Sequence, residues 1–235
     1  MQNKITVFDI DSYNRINEAR GKWLNKALDD IPICDSLKTA LDVACGAGYF
    51  SKVLARRGLE TTGIDLRSNN IETCKERYPE LHFYQMNLDE EFDEPGSFDL
   101  VLMFGVLYHL QSPLKSILRL AASIGRVGIV ETRVAPGNSM AYYLFEELLG
   151  DCHNTAPVTE VPTLAAIVGI FRHAGFEYIY RPTYQPEHEE WEQLKNGQRH
   201  CFIVSREAIN VPLWQRMTIP KFNKKWEPVL VPKYI

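Results

Sequence analysis

Tyr108 and His109 can each hold or pass a proton, and both follow closely on an apolar run, Ser97–Phe104 (SFDLVLMF). A neutral imidazole accepts a proton near pH 7, so His109 is the candidate general base and Tyr108 its neighbour at the reacting centre. Three carboxylates occupy comparable places. Asp42 interrupts the apolar run Leu41–Ala44, Asp65 closes Glu60–Asp65 (ETTGID), and Glu131 lies near the end of Arg126–Thr132 (RVGIVET). Open α/β sheets assemble their sites from residues at the carboxyl ends of parallel strands. These five side chains therefore belong to one candidate site if each run is such a strand.

The element that must position them is Thr39–Ser51 (TALDVACGAGYFS). It reads as a short buried strand, a glycine turn at Gly46 and Gly48, and a helix with Tyr49, Phe50, Val53 and Leu54 at helical spacing. Glycine lets the backbone turn tightly and approach a ligand, and the helix N-terminus offers unpaired N–H groups. The ligand is not a dinucleotide of the usual type, because the sixth place counted from Gly46 is Ser51 and not glycine. Nor does Lys-Ser/Thr follow the glycines as in a phosphate loop. Asp42 suits an ammonium-bearing ligand and would repel pyrophosphate. Asp65, 17 residues past Gly48, is placed to reach ribose hydroxyls.

Further along, Asp11–Lys26 reads as an amphipathic helix with Asp11 or Ser12 at its N-cap. Ser68–Tyr78 is a second helix capped by Ser68, and His82–Gln85 is a short strand. Ser112–Ala122 is a helix with Ser112 at the cap and Pro113 in its first turn. Thr163–Ala174 is a helix closed by Gly175. Phe176–Tyr180 and Arg199–Ser205 are strands, and Pro186–Leu194 carries four glutamates on a solvated helix face. Seven strands with intervening helices predict a doubly wound α/β sheet.

The chain of 235 residues, 45% hydrophobic and 24% charged, suits one globular domain, with no apolar run long enough to span a bilayer. No secretory signal is evident. Five cysteines without paired spacing read as free thiols, so a cytoplasmic location is expected. No His/Cys cluster has metal-ligand spacing, so no metal is expected. The net charge of −4 gives no general attraction to nucleic acid, yet from Trp214 onward five basic residues face Glu227 alone. That aromatic and basic tail either packs on the domain or touches RNA or a partner chain.

LDVACGAG, GIDL and FDLVLMFGVLYHL, in this order, resemble the class I S-adenosylmethionine (SAM)-dependent methyltransferases over Leu37–Ser205. Ala44 departs from the family, which often has glycine there. The resemblance implies a Rossmann-like seven-stranded sheet, mostly parallel with an antiparallel last strand, plus a helical cap. It divides the chain into an N-terminal helix and connector (1–36), the SAM-binding domain (37–205, with a cap insertion over 135–160) and the tail (206–235). It implies SAM as cofactor, S-adenosylhomocysteine (SAH) as product, and cofactor contacts from Asp42, Ala44, Gly46, Gly48, Asp65, Leu66, Asn87, Leu88 and Phe104. Tyr13, Arg20 or Trp23, on a helix that closes over SAM, would reach its methionine end. Tyr142 and Tyr143, with Met140 and Phe145, would line an acceptor pocket beside Glu131 and Arg199.

Met103–Glu131, the helix after Pro162 and the AGF that follows are also similar to bacterial tRNA wobble-uridine carboxymethyltransferases. These transfer a carboxymethyl group from carboxy-SAM, and the resemblance implies that Tyr108 and Arg199 hold its extra carboxylate. The long N-terminal region of those enzymes has no counterpart here. The expected function is therefore methyl transfer to an oxygen or nitrogen of a small molecule or glycan precursor. The alternatives are a tRNA-modifying (carboxy)methyltransferase using the basic tail, and a non-catalytic SAM-fold partner protein.

Overall fold

The computed structural model describes residues 7–90, 95–146, 158–184 and 198–218. The expected helix over 186–194, residues 147–157 of the insertion and the tail beyond residue 218 lie outside them. Strands β1 (Thr39–Val43), β2 (Glu60–Asp65), β3 (His82–Gln85), β4 (Phe98–Phe104) and β5 (Ile124–Arg133) pair in parallel in the order β5-β4-β1-β2-β3. A two-stranded hairpin follows, β6 (Tyr142–Glu146) and β7 (Val158–Pro162). β8 (Tyr178–Pro182), β9 (Arg199–Ser205) and β10 (Trp214–Arg216) complete the large sheet beyond β5, in the order β10-β8-β9-β5. β9 runs antiparallel to both of its neighbours, the expected reversal.

Two differences from the sequence reading stand out. The insertion forms strands where a helical cap was expected: Tyr142–Glu146 is extended and pairs residue for residue with Val158–Pro162. Its β-branched and aromatic side chains favour a pleated surface over a helix. The sheet also gains an eighth strand, β10, antiparallel to β8, so the first residues of the tail belong to the sheet.

Five helices, α1 (Asp11–Asp30), α2 (Tyr49–Arg56), α3 (Ser68–Arg77), α4 (Pro113–Ser123) and α5 (Leu164–His173), are present among the described residues. Strand alternation divides the core. Leu100, Leu102 and Phe104 of β4 pack with Trp23, Leu24 and Leu54 of α1 and α2. Val101 and Met103 pack with Ile117, Leu120 and Phe171 of α4 and α5. Apolar residues on both faces are what a central strand covered on two sides requires.

Two expected caps are displaced. Ile10, not Asp11 or Ser12, is the N-cap of α1, with no side-chain cap bond. Arg67, not Ser68, precedes α3, because Asp65 already accepts from the Arg67 N–H at 2.9 Å and closes the turn itself. Thr163, expected as the first residue of the helix, is the N-cap of α5 and accepts from the Ala166 N–H at 3.2 Å. Among the described residues no helix is long and apolar enough to cross a membrane, and no cluster of His, Cys, Asp or Glu could hold a metal.

Candidate active site

The glycine turn is built from three left-handed residues, and the first is not glycine. Ala44, directly after β1, has φ 57°, followed by Gly46 at 55° and Gly48 at 83°. Left-handed backbone at a residue with a Cβ costs about 1–2 kcal/mol, so the surrounding bonds hold Ala44 there. The Cys45 N–H reaches the Ile64 carbonyl at 2.9 Å, and the Gly46 N–H reaches Asp65 Oδ2 at 2.9 Å. A Cβ on Gly46 would come within 3.0 Å of the Phe8 ring. The turn therefore has room for a ligand or for Phe8, and none for a side chain of its own.

Asp65 links this turn to α3. Its Oδ1 accepts from the Arg67 N–H at 2.9 Å and from Asn70 Nδ2 at 3.0 Å. Asp42 is placed otherwise: 1% exposed, it accepts from Ser51 Oγ at 2.6 Å beneath the turn. Burial pushes its carboxyl up to about 7 against the Ser51 hydrogen bond. Gly48 is the N-cap of α2 and lies against Tyr78.

A cavity of about 270 Å³ runs over the carboxyl ends of the strands. Asp65, Leu66, Asn87 and Leu88 line it at the β2–β3 side, and Tyr108, His109 and Arg199 at the β4–β9 side. Ala44, Phe104, Gly105, Tyr13 and Arg20 lie between. A second cavity, of about 230 Å³, shares Phe8, Arg20, Ala44 and Phe104 with the first and adds Gly46, Tyr49 and Tyr78. The structure thus brings most of the expected residues to one space. Asp42, Gly48, Glu131, Tyr142 and Tyr143 are not in the walls of the larger cavity.

Glu131 has a different task from the substrate contact expected of it. It is 2% exposed and held between two arginines. Oε2 accepts from Arg20 Nε at 3.1 Å and also pairs with Arg20 Nη2. Oε1 accepts from Arg199 Nη1 at 2.7 Å. Burial would raise this carboxyl, but the Arg199 and Arg20 guanidiniums outweigh it and keep Glu131 below its ordinary value. Arg199 Nη2 donates in turn to the Tyr108 hydroxyl at 3.0 Å. Gly105 (φ 73°) makes room for this network, since a side chain there would collide with the Arg20 guanidinium.

His109 ends the short turn Leu107–His109, its ring centroid 4.1 Å from that of Tyr108. The hairpin covers Tyr108 from outside through Val161, which packs with Tyr108 and Ala135. Tyr142 turns to the opposite face, towards Pro113 and Ile117 of α4. Tyr143 is 45% exposed. Sequence reasoning missed Phe8, because a three-residue turn has no periodicity to betray it. It also missed Arg133, which strand alternation could have placed on the face of Glu131.

The geometry agrees with relationships visible in other proteins. A sequence model of the methyltransferase domain family matches residues 4–181, which is most of the chain. The fold is that of the class I SAM-dependent methyltransferases, and the chain belongs to the methyltransferase domain family. The chain is 30% identical over 121 residues to the ubiquinone biosynthesis O-methyltransferase of Albidiferax ferrireducens, covering 49% of this chain and 46% of that one. It is 34% identical over 150 residues to the tRNA U34 carboxymethyltransferase of Pseudomonas aeruginosa, covering 59% and 45%. It thus spans about half the length of the curated relatives it matches. Among solved structures, the N-terminal domain of EvdMO1 with SAH bound has a TM-score of 0.62 at 16% identity, covering 80% of this chain and 81% of that one. Streptomyces venezuelae DesVI has a TM-score of 0.60 at 15% identity, covering 86% and 100%.

Proposed function

We propose that this chain moves the methyl group of SAM to an oxygen or nitrogen atom of a small molecule or glycan precursor. The observation that supports it is one cavity with the oriented Asp65 carboxylate at one side and the Tyr108–His109 pair at the other. The residues present fit SAM. Asp65 would take the ribose hydroxyls, with Leu66 beside it. Asn87 accepts from the Asp89 N–H at 3.1 Å through its oxygen, so its amide N–H₂ is the end that would meet the adenine edge, against Leu88. Arg20 and Tyr13, brought by α1, and the Ala44–Gly46 backbone would hold the methionine end near Phe104.

SAM supplies an electrophilic methyl on its sulfonium. The chain's part is to align the acceptor behind it, a contribution on the order of 7–11 kcal/mol at best. His109 takes the proton of the acceptor O–H or N–H onto its imidazole, and Tyr108 packs against that ring.

Calorimetric titration of the protein with SAH tests the reading. Asp65→Ala is expected to weaken SAH binding by roughly 1.5–3 kcal/mol, the range for charged hydrogen bonds. Unchanged affinity in a folded variant would refute the ribose assignment. Tritiated methyl counted in small-molecule extracts then identifies the acceptor, and SAH binding without turnover on any extract would favour a non-catalytic partner protein.

A second reading, carboxymethyl transfer to tRNA, draws on the Arg199–Tyr108 hydrogen bond in the cavity wall. In that reading the pair would hold the extra carboxylate of carboxy-SAM. It predicts tighter binding of carboxy-SAM than of SAM and strongly salt-dependent tRNA binding. Equal affinities and no tRNA binding at low salt would eliminate it.

A further inference from the structure

Arg133 is the last residue of β5, two places beyond Glu131 and therefore on the same face of the sheet. Its Cα partner across the antiparallel pairing is Arg199. Its guanidinium carbon lies 5.6 Å from the centre of the Tyr108 ring, and that of Arg199 lies 5.4 Å from the same centre. Two arginines directly opposite on neighbouring strands repel. For Arg199 the Glu131 carboxylate offsets the repulsion at 2.7 Å. That carboxylate is already shared with Arg20. Among the described residues no acid pairs with Arg133. Arg20 and Arg199 thus share the Glu131 carboxylate, while Arg199 and Arg133 flank the ring of Tyr108, which is itself in the cavity wall.

From this charge balance we infer that Arg133 binds an anionic group of the acceptor, a carboxylate or a phosphate, where it approaches Tyr108. The assignment rests on the cavity being the SAM and acceptor site. It narrows the acceptor to an anionic small molecule, because a neutral acceptor would leave the Arg133–Arg199 repulsion in place. A guanidinium matches both oxyanions with two parallel N–H donors. A cation–π contact with Tyr108 holds the Arg133 side chain beside this lining residue with part of its ordering already done. Arg133 is a specificity-determining residue here. Glu131, whose carboxylate bonds Arg20 and Arg199, is a positioning residue.

The experiment begins with SAH alone and proceeds to the SAH-loaded full chain. Inorganic phosphate and acetate are each titrated at constant ionic strength set with chloride, in wild type, Arg133→Gln and Arg133→Lys. The expected result is saturable binding of at least one anion to the SAH-loaded wild type. Arg133→Gln should weaken it on the order of tenfold, the loss of a charge-assisted hydrogen bond. Arg133→Lys should recover part of it, and SAH affinity should be equal in all three. Failure of SAH to bind the wild type overturns the cofactor reading and this inference with it. Normal SAH binding with anion binding absent, or unmoved by Arg133→Gln, overturns this inference alone. Carboxy-SAM and SAM titrated into the same variants separate the two sources of an anion. An Arg133→Gln loss confined to carboxy-SAM would assign the site to the cofactor and overturn the acceptor assignment.

Discussion

Arg20 and Glu131, 111 residues apart in the chain, form a buried ion pair that fastens helix α1 to the end of strand β5. The helix that covers the cavity is thereby tied to the same carboxylate that orients Arg199 and, through it, the Tyr108 hydroxyl. A second tie lies at the other end of the helix segment, where Asp9 Oδ2 meets Arg77 of α3 at 2.7 Å. Cover and site are one charge network.

Removing the acid from the centre of this network leaves two buried guanidiniums without their shared partner. Glu131→Gln is expected to lower unfolding free energy by about 3–5 kcal/mol, read from urea melts with an unchanged slope. A loss below 1 kcal/mol would show that water compensates both arginines and that the network is peripheral to stability.

The left-handed Ala44 makes an opposite prediction. Ala44→Gly releases the Cβ strain at φ 57°, offset in part by the greater freedom of glycine in the unfolded chain. A net gain of up to about 1 kcal/mol is expected from thermal melts. Destabilisation would mean that the methyl group is packed well enough to outweigh its backbone strain.

His109 is distinguished from a cofactor contact by which constant it moves. His109→Ala should reduce turnover about 10²–10⁴-fold while SAH affinity stays within twofold by calorimetry. Lost SAH binding in a folded variant would reassign His109 to the cofactor.

Asp42 sets a pH dependence. Its carboxyl titrates at about 7 when folded and near 3.8 when unfolded. The folded chain therefore holds the extra proton across that window. Its stability advantage is complete below about pH 4 and is lost as pH rises through 7. Asp42→Asn removes this dependence. The stability of the variant relative to wild type should rise by about 3 kcal/mol between pH 5 and 8, at roughly 1.36 kcal/mol per pH unit up to pH 7 and little beyond it. A constant gap would show that Asp42 is ionised throughout.

How much of this was legible in the sequence follows from where the determinants lie. The strands and the cradle were legible because their signals are local: apolar runs closed by acids, and glycines at a turn. Asp65 and His109 at the carboxyl ends of strands followed from sheet topology, and Leu88 from the family resemblance; one cavity holds all three. Glu131 was assigned to the right strand end but to the wrong partner, since its partners come from α1 and β9, far off in sequence. The hairpin was misread because Tyr142–Glu146 carries no alternation when most of its residues are exposed. The α1 caps failed because Asn14 binds the Asp9 carbonyl, tying the helix start to the preceding turn.

The edge strand β10 sets where the unit can be divided. Trp214 packs edge-on against Trp23 at 5.5 Å and donates from Nε1 to Asp30 at 3.0 Å, so β10 leans on the cover helix as well as on β8. Tyr184 stacks on Trp23 at 6.0 Å and donates to the same Asp30 carboxylate. A chain ended after Ser205 would keep the nucleotide-facing sheet yet bare an indole on the back of α1. Cutting at residue 205, the border suggested by the sequence motifs, would remove a strand that props the helix over the cavity, and should loosen that helix before it unfolds the sheet.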